Sequence, residues 1–480
     1  MLSRPDIKLP HSKIIAIQFG LISDDEVKAG SVAQIVNKEM YNNGKPMMGG
    51  LADPRMSPSS NGEICLTDGL DYVQCPGYFG HISLCRPVFH CKHIQQIQKI
   101  LKCVCFNCSK LLIDKEDNTE VLSLSPSLRL AYIYEKCKNT NVCGSKTTNG
   151  CGFNQPSKIS SEPIFKLYAH WDNIVQNDSE NTGQKTDNKF DITPEYAQRI
   201  LKHISDDDVN FMGFNSVFSR PENMIVNNLP VMPPIARPSV NLDGNQKSED
   251  DITHIYINIL KNDSLLRSNI TKNTNANIIE KDTNILQYYV ATLIDNNITG
   301  VPQATLRTGR PLKALAERHK GKEGRIRSNL MGKRVDFSGR SVITGDPNIG
   351  VDELGVPMKI AMNITKPIIV NERNIYYLRQ LVSNGPSVYP GAKKIEQKNG
   401  IMRDLKHADR DNIILEYGDI VHRHMLNDDY VLFNRQPTLH RMSMQAHRVR
   451  VMPQGDTFRL NVAATKPYNA DKKNNKVLYF

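Results

Sequence analysis

Residues 433–451 read FNRQPTLHRMSMQAHRVRV, and residues 459–471 follow as RLNVAATKPYNAD. The β-type runs Val431-Leu432-Phe433 and Val449-Arg450-Val451 flank a Pro-centred bend, which predicts a strand, a basic turn, a second strand and a loop. Four arginines (Arg435, Arg441, Arg448, Arg450) and two histidines fall between 433 and 450, with no carboxylate among them. Guanidinium groups grip phosphate oxygens through paired hydrogen bonds, so this composition suits a phosphate partner. On charge alone, a solvated basic face explains it equally well.

Upstream, residues 342–452 alternate β-type runs (SVITG, IIVN, YVLFN, HRVRVM) with short helical patterns such as ERNIYYLRQLVSNG. An all-helical fold is excluded for this part.

The order of residues in the opening stretch resembles the active-site region of the largest subunit of multisubunit DNA-directed RNA polymerases, most closely the RNA polymerase II class. There, FNRQP and a downstream Asn-Ala-Asp motif frame a catalytic magnesium. The resemblance implies nucleotidyl transfer, with Arg435 reading the sugar of the incoming nucleotide or RNA end, Asn469 near the ribose hydroxyls and Asp471 as first magnesium ligand. In that family the loop continues Asn-Ala-Asp-Phe-Asp-Gly-Asp and turns three carboxylates onto one Mg²⁺. Here Lys473 and Asn475 stand at the second and third places. An ammonium repels the ion, so Mg²⁺ is expected only if the missing aspartates are supplied from elsewhere.

The resemblance runs from about residue 14 to residue 471. It implies a mixed α+β, multidomain chain: a zinc-bearing clamp with lid, rudder and switch region over 1–340, then a partial double-psi β-barrel over 341–471. A tail unlike the family follows over 472–480. Strands that follow the catalytic loop in the family are not expected here, which would leave the barrel incomplete with an unpaired edge. The expectation is an amino-terminal piece of the subunit, inactive alone, its reading frame interrupted by an intron or its gene split in two. Abundant Asn and Lys suit a giant nucleo-cytoplasmic virus or an AT-rich eukaryote, hence a viral factory, virion or nucleus.

The chain has 480 residues, 39% of them hydrophobic, and a net charge of +11. Its length suggests two to four domains, and its charge favours a polyanionic partner. No run approaches 18 apolar residues and no signal peptide opens the chain, so an intracellular protein with no membrane partner is expected. The basic excess concentrates between Gln303 and Arg340, where eleven Lys or Arg face three acids. KGKEGRIR and MGKR place cations on glycine-jointed backbone that can follow a phosphate chain without reading bases. Lys320, Lys322, Arg325, Arg327, Lys333, Arg334 and Arg340 are the candidate contacts to template DNA or to the DNA–RNA hybrid, against the alternative of a soluble basic face. The family's rudder and adjoining switch region resemble this segment throughout.

All ten cysteines lie between Cys65 and Cys151. In an intracellular chain such clustering argues for metal. Cys105 and Cys108 form a CxxC knuckle, and Cys143 with Cys151 supplies a second pair across a helical segment, together a closed structural Zn²⁺ site. A redox CxxC is the alternative, but no thioredoxin-like βαβ pattern surrounds it. Earlier, ICLTDGLDYVQCPGYFGH holds Cys65, Asp68, Cys75 and Tyr78 where the family has Cys-x2-Cys-x6-Cys-x2-His around zinc. Either Cys65, Asp68, Cys75 and His81 form a zinc site, or the turn is held by packing. Cys85, Cys91, Cys103 and Cys137 read as unpaired core thiols.

Residues 14–35 suggest a strand and an amphipathic helix capped near Ser23, and 192–204 a helix begun at Thr193-Pro194-Glu195. Residues 173–189 and 241–251 read as surface loops, the second where the family has its lid. Residues 284–296 read as a core helix. Partners implied by the resemblance are DNA template, RNA, the second-largest polymerase subunit, other subunits and a carboxy-terminal fragment of the same subunit. A stand-alone zinc-containing nucleic-acid-binding module and a purely structural polymerase subunit are the competing functions.

Overall fold

A computed structural model describes residues 13, 15–17, 19–162, 165–171, 188–241, 247–410, 412–469 and 475–479. The chain divides into two compact units, Met1–Met331 and Gly332–Phe480.

The first unit has two large cores and a small cluster of Cys91, Phe165 and Ala291 among its described residues. In one, the strand Gly80–Phe89 pairs with Ala33–Gln34 and Ile225–Val231, and the helices Asp251–Thr271 and Ala276–Ile294 pack against it. Asp250 caps the 21-residue helix by accepting from Ile252 N–H, and Ile252, Ile255, Tyr256, Ile259 and Leu266 form its buried stripe. In the other core, Ile94–Cys103, Pro126–Cys137 and Pro194–Lys202 pack with a sheet made of Lys158–Glu162, Lys166–Trp171 and Asn188–Ile192.

Both expected caps form. Ser23 and Glu26 close a reciprocal capping box, and Thr193 Oγ1 accepts from Tyr196 N–H at 3.2 Å. Among the described residues before Ser23 no strand forms: Ile15, Ile17 and Phe19 are exposed, and the helix that follows spans only Asp24–Ala29 and buries none of its residues. Residues 172–187, most of the first expected loop, lie outside the described residues; 188 and 189 begin a strand. The second expected loop is in part a two-stranded ribbon, Val240–Asn241 with Lys247–Ser248, and ends in the cap of the long helix.

In the second unit, strands run in the order Ser338–Gly345, Phe458–Leu460, Glu353–Pro357, Met444–Met452, Tyr430–Asn434 and Asn475–Tyr479, closing into a barrel. Phe433, Leu354, Val356, Phe458, Leu460 and Tyr468 fill it. The expected unpaired edge is corrected here. Asn475–Tyr479, within the stretch 472–480 expected as a tail, pairs antiparallel with both Ser338–Gly345 and Tyr430–Asn434 and satisfies the backbone groups an edge would expose. Beside the barrel, a four-stranded antiparallel sheet packs against the helix Ile375–Asn384.

Candidate metal knuckles and nucleic-acid interface

Cys105, Cys108, Cys143 and Cys151 converge, their sulfurs all within 4.8 Å of one another. Cys105 Sγ to Cys151 Sγ is 3.5 Å and Cys108 Sγ to Cys143 Sγ is 3.8 Å. Four sulfurs ~2.3 Å from one tetrahedral zinc stand ~3.8 Å apart, so the spacing fits the ion. Each pair sits on a tight turn. Val104 bridges Leu111 and Val142 bridges Asn154, while Ser109 adopts φ 57° and Gly144 φ 96° to reverse the chain. Amide donors face the sulfurs: Asn107 N–H on Cys105 and Cys151 N–H on Cys143, each at 3.4 Å. Burial opposes ionisation of Cys151, yet the Phe153 N–H and hydrogen bonds from Cys105, Cys108 and Asn107 prevail and draw its thiol down to about 6. Burial pushes Cys105 up to about 12. The donor set fits a closed structural zinc site between helix-linked turns.

The first group assembles differently. Cys65, Asp68 and Cys75 bring their ligand atoms within 4.8 Å of one another. His81 does not join them. It sits in the strand Gly80–Phe89, and its Nδ1 hydrogen-bonds Ser31 Oγ at 2.8 Å, which corrects its expected place as fourth ligand. Tyr78 takes the position instead, donating from Oη to Asp68 Oδ2 at 3.1 Å. Burial raises the Asp68 carboxyl, but Leu70 N–H and hydrogen bonds from Cys75, Cys65 and Tyr78 outweigh it and hold the group below its usual range. Gly77, at φ 83°, allows this turn: a Cβ there would stand 2.8 Å from both Ile235 and Pro233. Cys103 and Cys137, read as unpaired, are neighbours in the core; the Cys137 hydrogen bond and burial push the Cys103 thiol up.

Lys320, Lys322, Arg325, Arg327, Lys333, Arg334 and Arg340 are all exposed. Among the described residues none of them is in an ion pair, whereas Arg310 and Arg318 of the same stretch pair with Asp251 and Asp250 at the start of the long helix. Gly324 permits the tight path here, since a Cβ would lie 2.4 Å from the His319 carbonyl oxygen.

In the barrel, the strand Tyr430–Asn434 delivers Arg435, half-buried, with its N–H on Ser443 carbonyl oxygen at 3.1 Å. Asn469 adopts φ 46° after buried Tyr468. Asp471 lies outside the described residues. Arg448 is held by Asp352 at 2.8 Å and by Asp428 at 3.2 Å, and Arg450 by Glu353 at 3.7 Å. A stretch without carboxylates in sequence thus acquires them from elsewhere in the unit, and these two arginines are structural. Sequence reasoning also missed the buried ion pair of Arg423 with Asp429, because its signal is ordinary residues without a motif.

Two family descriptions match the chain: "RNA polymerase Rpb1, domain 1" over residues 11–330 and "RNA polymerase Rpb1, domain 2" over 332–475. The chain is 46% identical over 469 residues to "DNA-directed RNA polymerase II subunit RPB1" of Euplotoides octocarinatus, covering 96% of each chain.

Proposed function

The chain belongs to the Rpb1 family, the largest subunit of DNA-directed RNA polymerase, and from that premise we propose how its own residues serve transcription. The polymerase is a nucleotidyltransferase that works as a multisubunit complex on DNA and RNA. In our reading the first unit is the clamp, stiffened by zinc on Cys105, Cys108, Cys143 and Cys151. The second unit is the active-site barrel, of double-psi type.

Lys320, Lys322, Arg325, Arg327, Lys333, Arg334 and Arg340 bind backbone phosphates of template or hybrid. Arg435 orients the sugar of the nucleotide or RNA end, and Asn469 its hydroxyls. The residues here do not fit a magnesium site of three carboxylates. Lys473 and Asn475 hold the second and third places, and the Asn475 backbone is in the barrel ladder opposite Val342. The chain alone is therefore expected to extend no RNA. Partner subunits complete the enzyme. No helix among the described residues is long and apolar enough to cross a membrane, and the workplace is where DNA is transcribed.

The observation that carries the nucleic-acid reading is the contrast within one basic stretch: two arginines spent on a helix start, and these seven cations exposed without ion pairs among the described residues. Titrating a labelled DNA–RNA hybrid with the purified chain at several salt concentrations tests it. Each phosphate contact contributes about 0.7–0.9 to the slope of log K against log salt, so replacing Lys320, Lys322, Arg325 and Arg327 with Gln should flatten the slope by about three. An unchanged slope would show the stretch to be merely a soluble face.

A further inference from the structure

We propose that the knuckle spanning residues 65–78 folds without zinc, with the Asp68 carboxylate at its centre as hydrogen-bond acceptor where the family's pattern implies an ion. The pattern calls for a cysteine and a histidine at the positions of Asp68 and Tyr78. The two replacements are complementary: one is an acceptor, the other a donor, and they meet. Tyr78 Oη donates to Asp68 Oδ2 at 3.1 Å while Leu70 N–H donates to Oδ1 at 2.8 Å. Both carboxylate oxygens thus have protein donors, and a cation would have to compete with them.

The sulfur environment agrees. Cys65 Sγ lies 3.8 Å from the Arg55 carbonyl oxygen, which suits a thiol S–H and repels a metal-bound thiolate. Cys75 takes an amide donor from Gly77 N–H, as Cys105 and Cys143 do from theirs, so the difference between the two knuckles lies at Cys65. A closed structural zinc site needs four ligands, and among the described residues only Cys65, Asp68 and Cys75 bring ligand atoms together here, with His81 outside the group. The turn has its own backbone support: Cys65 N–H on Leu70 O at 2.9 Å, Gly69 N–H on Cys65 O at 2.9 Å and Cys75 N–H on Asp71 O at 3.0 Å. Cys65 and Cys75, 1% and 3% exposed, are then buried thiols that add to the donors around Asp68. One of the two knuckles in the first unit is accordingly independent of metal supply.

Zinc content of the purified full chain and its variants tests this. The unaltered chain should hold about one zinc, all of it lost on Cys105→Ser and none on Cys65→Ser. Asp68→Cys combined with Tyr78→His should raise the content to about two. Tyr78→Phe should lower the thermal midpoint at unchanged zinc content. The content is read as a difference between variants, so the test stands apart from the zinc reading of the Cys105 group. Loss of zinc on Cys65→Ser overturns the proposal. So does a double variant with no added zinc, since the two exchanged side chains would then not be what excludes the ion. A Tyr78→Phe chain as stable as the original removes Asp68 from its central role.

Discussion

Tyr468 Oη meets His447 Nε2 at 2.7 Å inside the barrel. His447 lies on the strand Met444–Met452, and Tyr468 directly precedes Asn469. The Phe433 ring packs edge-on against both, with centroids 5.4 Å from Tyr468 and 6.1 Å from His447. The aromatic cluster therefore joins the strand leading into Arg435 to the turn that carries Asn469, and the buried hydrogen bond ties that turn to the strand Met444–Met452.

Tyr468→Phe keeps the ring and strands His447 Nε2 in an apolar interior, for a loss of about 1–3 kcal/mol. Urea unfolding of the full chain measures it. Adding His447→Leu should recover part of the loss, because removing both partners leaves no orphaned polar group. Strictly additive losses would mean that the bond carries no coupling.

Arg423 grips Asp429 with two hydrogen bonds of 2.8 Å, and Lys366 and the Leu426 N–H reach the same carboxylate at 3.0 and 2.8 Å. Asp429 and Arg423 are buried. Asp429→Ala leaves that guanidinium without its counter-charge and should lower stability by about 3–5 kcal/mol. Asp352→Ala, which removes one of the two surface partners of Arg448 and leaves Asp428, should barely move the urea midpoint. Equal effects would contradict the burial argument.

What could be read from the chain beforehand follows from range. Ser23 and Thr193 caps, the CxxC turns and the strand–turn–strand around Arg435 depend on residues a few positions apart, and each stands in the structure. Asp251–Thr271 has a helical apolar period, but β-branched and Asn residues dilute its propensity, and the period went unread. Closure of the barrel by Asn475–Tyr479 needs a partner strand over a hundred residues away, with no local signal. A separation of nearly a hundred residues likewise hid Asp352 and Glu353 from Arg448 and Arg450. His81 misled because spacing gave it reach, while strand alternation sent its ring to Ser31.

Trp171 is the chain's single tryptophan, and it reports on the Cys105 knuckle. Its Nε1 donates to the Asn154 carbonyl at 3.2 Å and its ring meets Phe106 edge-on at 5.9 Å, both within four residues of a cysteine of that group. Stripping zinc with a strong chelator removes folding free energy that the ion supplies, so tryptophan emission should shift to the red and return on adding zinc back. Cys105→Ser should show the shifted spectrum from the start. A chelator-insensitive spectrum would mean that packing alone holds these turns.

Acid should loosen the second unit before Asp429 titrates. Burial holds His422, His424 and His447 below the ordinary histidine range. His424 is fully buried, stacks on Tyr389 and accepts from Gly391 N–H through Nδ1 at 3.2 Å, an arrangement that requires the neutral ring. Below about pH 6.5 the unfolded chain binds protons that these histidines of the folded second unit refuse. The stabilisation is thus complete above that pH and is lost as pH falls through the lowered folded values. Asp429, also held low despite its burial, by Arg423 and other donors, stays ionised in this window and titrates only in stronger acid. Urea midpoints should fall between pH 7.5 and pH 5.5. His424→Gln keeps an acceptor for Gly391 but cannot titrate, and its midpoints should fall less steeply. Parallel slopes for the two chains would show that His424 is not among the groups that sense the acid.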